Sequence, residues 1–468
     1  MAGRRSMGAV DSIWLTLDRP DNLMVIDSIM LLEGDLDWER VTDVVRRRLV
    51  DRFPVFRQRP VLSSSPVGMP HWEDDEDFAL DRHLHRATLE APGDEATLQA
   101  FVEQQMQTPL DRSRPLWEMH LVDGYAEGAV VMARFHHALA DGIALAQVLL
   151  SLTDEHPDGD LVEADAPPVV APETDAPGPS GLVGAAARLA QPFRAGVRGA
   201  LHLFGEIPAA LNPAYAVEAL TLARQTGEIA DKLLLGSNPE SVLIGEPGVA
   251  KRAVWSRPRP LQDIKRVGRA AGATVNDVLV GAVSGAIAGY VIDRGGEPDD
   301  LTTMVPVNLR GTEPLPRELG NKFALVMLPM PTGRLAPLQR LAEAKTRMDS
   351  IKQSPEAMLT FGIINAIGRT NPDVAKVVVD FFAAKAIGVT TNVAGPMTGR
   401  WFAGTRISAV LGWVPGSGQQ TLGVCIFSYD GVVRVGFKVD AGVVTSPERL
   451  VHAFDDEMDT LVRLASAV

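Results

Sequence analysis

Hydrophobic and polar positions change period several times along the chain, and each change marks an element. Over residues 129–136 the side chains alternate, with Val131, Ala133, Phe135 and His137 on an apolar face and Arg134 and His136 on the other. This predicts a strand that pushes the His137 imidazole toward the interior. Beyond it Leu145, Val148, Leu149 and Leu152 recur at helical spacing, and Asp141 stands where an N-cap would stand. Residues 135–142, Phe-His-His-Ala-Leu-Ala-Asp-Gly, therefore read as a strand end, a tight turn and a helix start. Upstream, residues 116–122 alternate Trp117, Met119 and Leu121 against Leu116, Glu118 and His120, which predicts an antiparallel hairpin with the histidine strand.

The remaining pattern mixes strands and helices in both halves. The first half offers a short segment at 11–16, a strand at 23–32 and a helix from Asp37 with Trp38, Val41, Val45 and Leu49 inward and Arg46, Arg47 and Arg48 on a solvated face. A strand at 55–61 and an amphipathic helix at 95–106 follow. The second half reads as a strand near Val254, a helix at 261–271 and an apolar helix headed by Asn276 and Asp277. Strands are expected at 303–309, 323–328 and 388–392, then a hairpin around Asp430-Gly431. Ser446-Pro447-Glu448 opens the last helix, with Leu450, Phe454, Met458 and Leu461 inward. The apolar run 278–292 is shorter than the ~18 residues a membrane-spanning helix needs. Its glycines, Gly281, Gly285 and Gly289, are read as a stripe that lets the helix lie close on a sheet.

Length changes this picture by requiring more than one core. A chain of 468 residues suggests two domains, placed at 1–152 and 246–468. Between them residues 153–180, rich in Pro, Asp, Glu and Ala, read as an acidic solvated linker, and 181–245 as an amphipathic helical connection. Arg188, Arg194 and Arg198 lie among apolar positions there, a pattern that suits either an anionic membrane surface or a helix covering its own domain. A formal net charge of −14 argues against a general nucleic-acid binder. The single cysteine, Cys425, excludes an internal disulfide and suits a reducing cytosol. Asp11 and Asp18 interrupt any apolar core of an export signal, so a cytoplasmic location is expected.

The histidine turn is the candidate chemistry. An interior imidazole with an ordinary pKa near ~6.5 accepts a proton at neutral pH. Adjacent histidines on opposite strand faces do not chelate one ion well, and no HExxH or CxxC is present, so no metal site is expected. There is also no G-x-S-x-G elbow, Walker loop or dinucleotide fingerprint. A base without a protein nucleophile suits direct transfer between two bound substrates. His137 would take the proton of an acceptor hydroxyl, and the Gly142 amide at the helix start would face the resulting oxyanion. Asp141 is then structural, and Arg310 at a strand end is its candidate counter-ion.

The turn resembles the HHxxxDG signature of the CoA-dependent acyltransferase superfamily, and the chain resembles the bacterial wax ester synthase/diacylglycerol acyltransferase branch over nearly its full length. The resemblance rests on residues 109–117 (PLDRSRPLW), 274–277 (TVND), 305–310 (VPVNLR), 319–321 (LGN) and 392–396 (NVAGP), with Ala394 where the family usually has proline. It implies an α/β (α+β) fold of two chloramphenicol-acetyltransferase-like domains, each a mixed β-sheet with flanking helices, meeting at an active-site tunnel. It further implies His137 as catalytic base, His136 as its supporting neighbour, Asp141 as structural acid and Asn276-Asp277 as a site-shaping pair. Pro115, Leu116, Trp117, Asn321, Lys322 and Asn392 are its candidate substrate-binding positions, and Lys322, Arg310 and Lys385 candidates for the CoA phosphates. The implied reaction is acyl-CoA-dependent esterification of diacylglycerol or a long-chain alcohol, with acyl-CoA as co-substrate, no bound cofactor, and a peripheral place at the inner membrane or lipid inclusions. A polar or amine acceptor, and a non-catalytic acyl-chain binder, are the alternatives.

Overall fold

The computed structural model describes residues 4–63, 68–126, 128–161, 236–309, 315–354, 356–370 and 372–466. After a short strand, Arg4–Ser6, the elements that build the site are helix α1 (Ala9–Leu17), strand β1 (Val25–Leu32), strand β2 (Gly128–His136) and helix α2 (Gly142–Ser151). The segment at 11–16 is thus part of a helix. Its buried positions Val10, Ile13 and Leu17, spaced three and four apart, carry the helical period.

Two seven-stranded mixed sheets form the two lobes. In the first, Leu84–Thr88 lies parallel to Trp117–Tyr125, which pairs antiparallel with β2, and β2 pairs antiparallel with β1. The hairpin predicted for 116–136 is therefore present. In the second sheet, Gly388–Ala394 runs parallel to Leu422–Tyr429 and to Leu301–Asn308, whose outer neighbour is Phe323–Met330. The Asp430-Gly431 hairpin joins Leu422–Tyr429 to Val432–Asp440, both turn residues taking positive φ.

Sequence halves and lobes do not coincide. Strands Trp401–Phe402 and Thr405–Trp413 belong by sequence to the second half but extend the first sheet, the latter pairing with β1 and the former with Thr153–Asp154. Edge hydrogen bonds of β1 are satisfied by a strand from the far end of the chain, which ties the lobes together. The start of the expected linker is likewise structured: Asp154 is buried and meets Arg48 at 2.9 Å, so Arg48 is an inward ion-pair residue rather than part of a solvated face. The strand expected at 55–61 begins only at Gln58, because Pro54–Arg57 form a 3-10 turn. The rest of the linker, most of the amphipathic connection (181–235) and Arg310 lie outside the described residues.

Each lobe has its own core. Phe56, Trp117 and Phe135 pack edge-on in the first, and Phe437 against Phe454 in the second. Helix α3 (Val275–Asp293) is long and apolar enough to cross a membrane by composition, yet 78% of its apolar window is buried inside the protein. Its glycine stripe meets helices, not a sheet. A Cβ on Gly281 would stand 3.4 Å from the Leu341 Cα, and one on Gly289 would stand 3.1 Å from Ala453 of the last helix, Glu448–Ser466. Thr274, not Asn276 or Asp277, caps this helix; Asp277 closes the capping box through the Thr274 N–H.

Candidate active site

The histidine strand stops one residue earlier than its alternation suggests. β2 ends at His136, whose N–H donates to the Leu116 carbonyl, while the His137 N–H donates to the Met24 carbonyl. The strand end is therefore pinned from both sides, and His137 sits in the turn. The change of face inverts the expected burial: His136 is sealed at 1% exposure, and His137 is half-buried at the wall of a cavity.

Around His136 the protein is charged. Its Nε2 lies 3.5 Å from the Asp18 carboxylate, and its Nδ1 accepts the Ala138 N–H, which shapes the turn. Asp18 also accepts from Arg112 at 2.9 Å and from the Met24 N–H. Burial works to raise the Asp18 pKa, but His136, Arg112 and the Met24 amide prevail and hold it down to about 2. Arg112 also donates to the Leu15 carbonyl, so the PLDR part of 109–117 clamps the end of α1. Pro115, Leu116 and Trp117 are buried, and none lines the cavity; the Trp117 indole donates to the Phe56 carbonyl.

The side chains in direct contact with the His137 ring are uncharged. The ring stacks on Trp14 of α1 at 4.2 Å between centroids, and Phe323 stands 5.9 Å away. Its Nδ1 is 3.0 Å from the Asn321 Oδ1. The Asn321 amide is oriented by its other contacts, because Nδ2 lies 2.8 Å from both Asp11 Oδ1 and the His137 carbonyl. Both are acceptors, so Nδ2 must donate and Oδ1 must accept, and the proton of neutral His137 resides on Nδ1. Nε2 is left as the basic nitrogen. Burial pushes the His137 pKa down to about 4, against the opposing effects of its hydrogen bonds and the Asp141 charge, so the ring is neutral at physiological pH.

Asp141 caps α2 as expected, accepting the Ala144 N–H at 2.9 Å, and its other oxygen accepts the Lys322 backbone N–H at 3.1 Å. Residues 321 and 322 thus reach from the second lobe to both His137 and Asp141. Gly142 opens α2 on the cavity wall, and its amide is one of the first-turn N–H groups that no helical carbonyl can take.

The cavity lies between the lobes and encloses about 1290 Å³, part of it open to solvent. Its wall is apolar, drawn from Ile26 and Leu145 of the first lobe, Met304 and Val393 of the second, and Leu411 and Trp413 of the crossing strand. A second apolar space of about 680 Å³ adjoins it at Trp14, Met304 and Phe323 and runs under the helices Glu356–Ile367 and Pro372–Ala383. Cys425 also lines the main cavity, but burial pushes its thiol up to about 12, so it is no nucleophile.

Other candidate positions fall outside this space. On Gly388–Ala394 the residues Val389, Thr391 and Val393 face the cavity, so Asn392 faces away, where it donates to Asn276 Oδ1 at 2.9 Å. Asp277 is fully buried at the head of α3, 3.9 Å from Lys352. Lys385 is buried and donates to the Gly236 carbonyl beside the Phe381 ring, whereas the Lys322 side chain is exposed. Asp11, Trp14 and Asp18 were not singled out from the sequence as site residues, although their helical spacing puts all three on one face of the chain entry.

Comparison with known proteins gives one answer. Residues 7–279 match the model of the wax ester synthase/diacylglycerol acyltransferase catalytic domain, and 319–462 match that of its C-terminal domain. A putative diacylglycerol O-acyltransferase of Mycobacterium bovis is 28% identical over 94% of this chain and 92% of its own. A probable diacylglycerol O-acyltransferase of Mycobacterium tuberculosis is 31% identical over 73% of this chain and 72% of its own. Among solved structures, the wax ester synthase/diacylglycerol acyltransferase from Marinobacter aquaeolei superimposes with a TM-score of 0.70 at 20% identity, over 98% of this chain and 100% of that one. The first condensation domain of the calcium-dependent antibiotic synthetase shares the fold at a TM-score of 0.58 and 15% identity, over 99% of this chain and 96% of its own.

Proposed function

The chain belongs to the wax ester synthase/diacylglycerol acyltransferase family, and from that premise we propose that it transfers a fatty acyl group from acyl-CoA to the hydroxyl of diacylglycerol or a long-chain alcohol. The observation that carries the reading is a neutral His137, with Nε2 unprotonated, on the wall of an apolar cavity between the lobes. A cavity with that lining takes hydrocarbon chains at a gain of about 25 cal/mol per Å² of apolar surface. It offers little to a charged amine.

In this mechanism the acceptor hydroxyl gives its proton to His137 Nε2 as its oxygen attacks the thioester carbonyl. The tetrahedral oxyanion is met by first-turn amides of α2 at Gly142, a contact worth roughly 2.7–4 kcal/mol in catalysis. The C–S bond then breaks, and the imidazolium returns the proton to the departing thiolate, which leaves as free CoA. Asp141 holds the turn and the 321–322 segment in place, and His136 with Asp18 holds the strand end. Asn276 and Asn392 shape the site from behind the cavity wall.

Substrates of this kind reside in membranes and lipid inclusions, and we assign the protein a peripheral place on such surfaces in the cytoplasm. Val377 and Phe381 are exposed on Pro372–Ala383, the helix that covers the second apolar space, and offer an apolar contact there. The test is thiol release from palmitoyl-CoA with dipalmitoylglycerol, hexadecanol or a long-chain amine as acceptor. Ester formation with either alcohol supports the reading; turnover with the amine alone overturns it.

A further inference from the structure

We propose that Asn321, locked by Asp11 of α1, is a positioning residue that sets the tautomer and the aim of His137, so that the base is served by an uncharged amide rather than a carboxylate. The inference rests on His137 being the base. Its support is a fully specified chain of contacts. Asp11 Oδ1 accepts both the backbone N–H and the side-chain amide of Asn321, each at 2.8 Å. The same amide nitrogen donates to the His137 carbonyl, and its oxygen faces His137 Nδ1. Flipping the amide would set its oxygen against two acceptors, Asp11 Oδ1 and the His137 carbonyl, and lose both of those contacts.

Room for this arrangement is built in on both sides of the carboxylate. A Cβ on Gly8 would stand 2.7 Å from Asp11 Oδ2, and one on Gly320 would stand 3.3 Å from it. Gly8 donates its N–H to the same oxygen. A side chain at Gly8 would displace the carboxylate, and one at Gly320 would crowd it. The motif Leu319-Gly320-Asn321 thereby acquires a physical meaning: the glycine admits the carboxylate and the asparagine relays its position to the imidazole.

An amide orienter has a consequence for proton transfer. A carboxylate against Nδ1–H would favour imidazolium and raise the pKa of the ring, whereas an amide fixes the tautomer without that charge. The titratable groups around His137 are Asp141 and His136 in its own segment and Asp11 behind Asn321, with Arg5 acting on Asp11. Only Asp11 is relayed through the residue whose contacts define the ring's orientation.

The experiment compares His137→Ala, Asn321→Ala, Asn321→Asp, Asp11→Asn and the double variant Asp11→Asn/Asn321→Asp, using palmitoyl-CoA with the better alcohol acceptor, full pH profiles and melting temperatures. His137→Ala is expected to be inactive, and Asn321→Ala to lose about 10²-fold in kcat with KM within about threefold. Asn321→Asp sets two carboxylates against each other and is expected to be poor. The double variant removes the clash of the two carboxylates and recovers the side-chain bond between positions 11 and 321, with the charge moved next to the ring, while the bond to the His137 carbonyl stays lost. It should improve in part on Asn321→Asp, with the acid limb of kcat shifted upward from that of the parent. This pair carries the comparison even where Asn321→Ala melts early. An Asn321→Ala enzyme within threefold of the parent beside a dead His137→Ala overturns the positioning role alone, as does a double variant no better than Asn321→Asp or with an unmoved acid limb. Full activity in His137→Ala would overturn the base assignment and this inference with it.

Discussion

His136 is sealed within the first lobe beside the Asp18 carboxylate, whereas His137, one position further on, faces the space between the lobes and is held by an amide. The two surroundings divide the work. A charged partner inside one lobe suits an imidazole that holds structure, since its contacts persist whether or not substrate is present. A neutral partner from the opposite lobe, with Trp14 stacked on the ring, suits an imidazole that, as the proposed base, must take up and release a proton. Both arrangements are supplied by one helix: Asp18 at the end of α1 serves His136, and Asp11 and Trp14 serve His137. The difference teaches that the surroundings of the proposed base depend on docking of the lobes and those of its neighbour do not.

The comparison is broken most directly at its ends. His137→Ala should cost about 10³-fold or more in thiol release while leaving the melting temperature near that of the parent, measured by acyl-CoA turnover and calorimetry. His136→Ala should do the reverse, destabilising by about 2–4 kcal/mol because Asp18 loses a partner and the Ala138 N–H loses its acceptor, with turnover per folded molecule kept within about tenfold. Equal loss of turnover in both variants would erase the division.

Acid unfolding sharpens it. His137 is depressed to about 4 in the fold from the ordinary 6.5, so the unfolded chain binds a proton there that the folded chain does not, and stability falls as pH drops from about 6.5 to 4. Asp18 is depressed to about 2 from 3.8, so its contribution is present above about 3.8 and is lost as pH falls toward 2. His137→Gln should flatten the upper window and Asp18→Asn the lower one in denaturant titrations. Smaller effects are expected from Trp14→Ala, about tenfold in kcat through loss of the stacked face. The smallest is expected from Arg112→Ala, about 1 kcal/mol in stability from a half-exposed pair.

Much of the fold was legible because local pattern and burial agree. The hairpin 116–136, the Asp430-Gly431 turn, the last helix and the Asp141 cap follow from periodicity and turn chemistry that the tertiary structure had no reason to override. The site was legible as a motif but not as an arrangement. Alternation placed His137 inside because it assumed the strand ran on. The actual end at His136 is set by the Leu116 and Met24 carbonyls, which come from distant positions. By motif Asn321 reads as a substrate contact, yet its bonds go to Asp11 and His137, which lie 310 and 184 residues away.

What the sequence by itself determined is most of the elements, the histidine motif and the family, since each of these is written in spacing along a few residues. What only the tertiary structure decided is which imidazole is free and what holds it. The first sheet is finished by strand Thr405–Trp413, and the imidazole is aimed by an amide and a carboxylate from opposite lobes. Those contacts depend on hydrogen-bond geometry between segments hundreds of residues apart, and no local period encodes them.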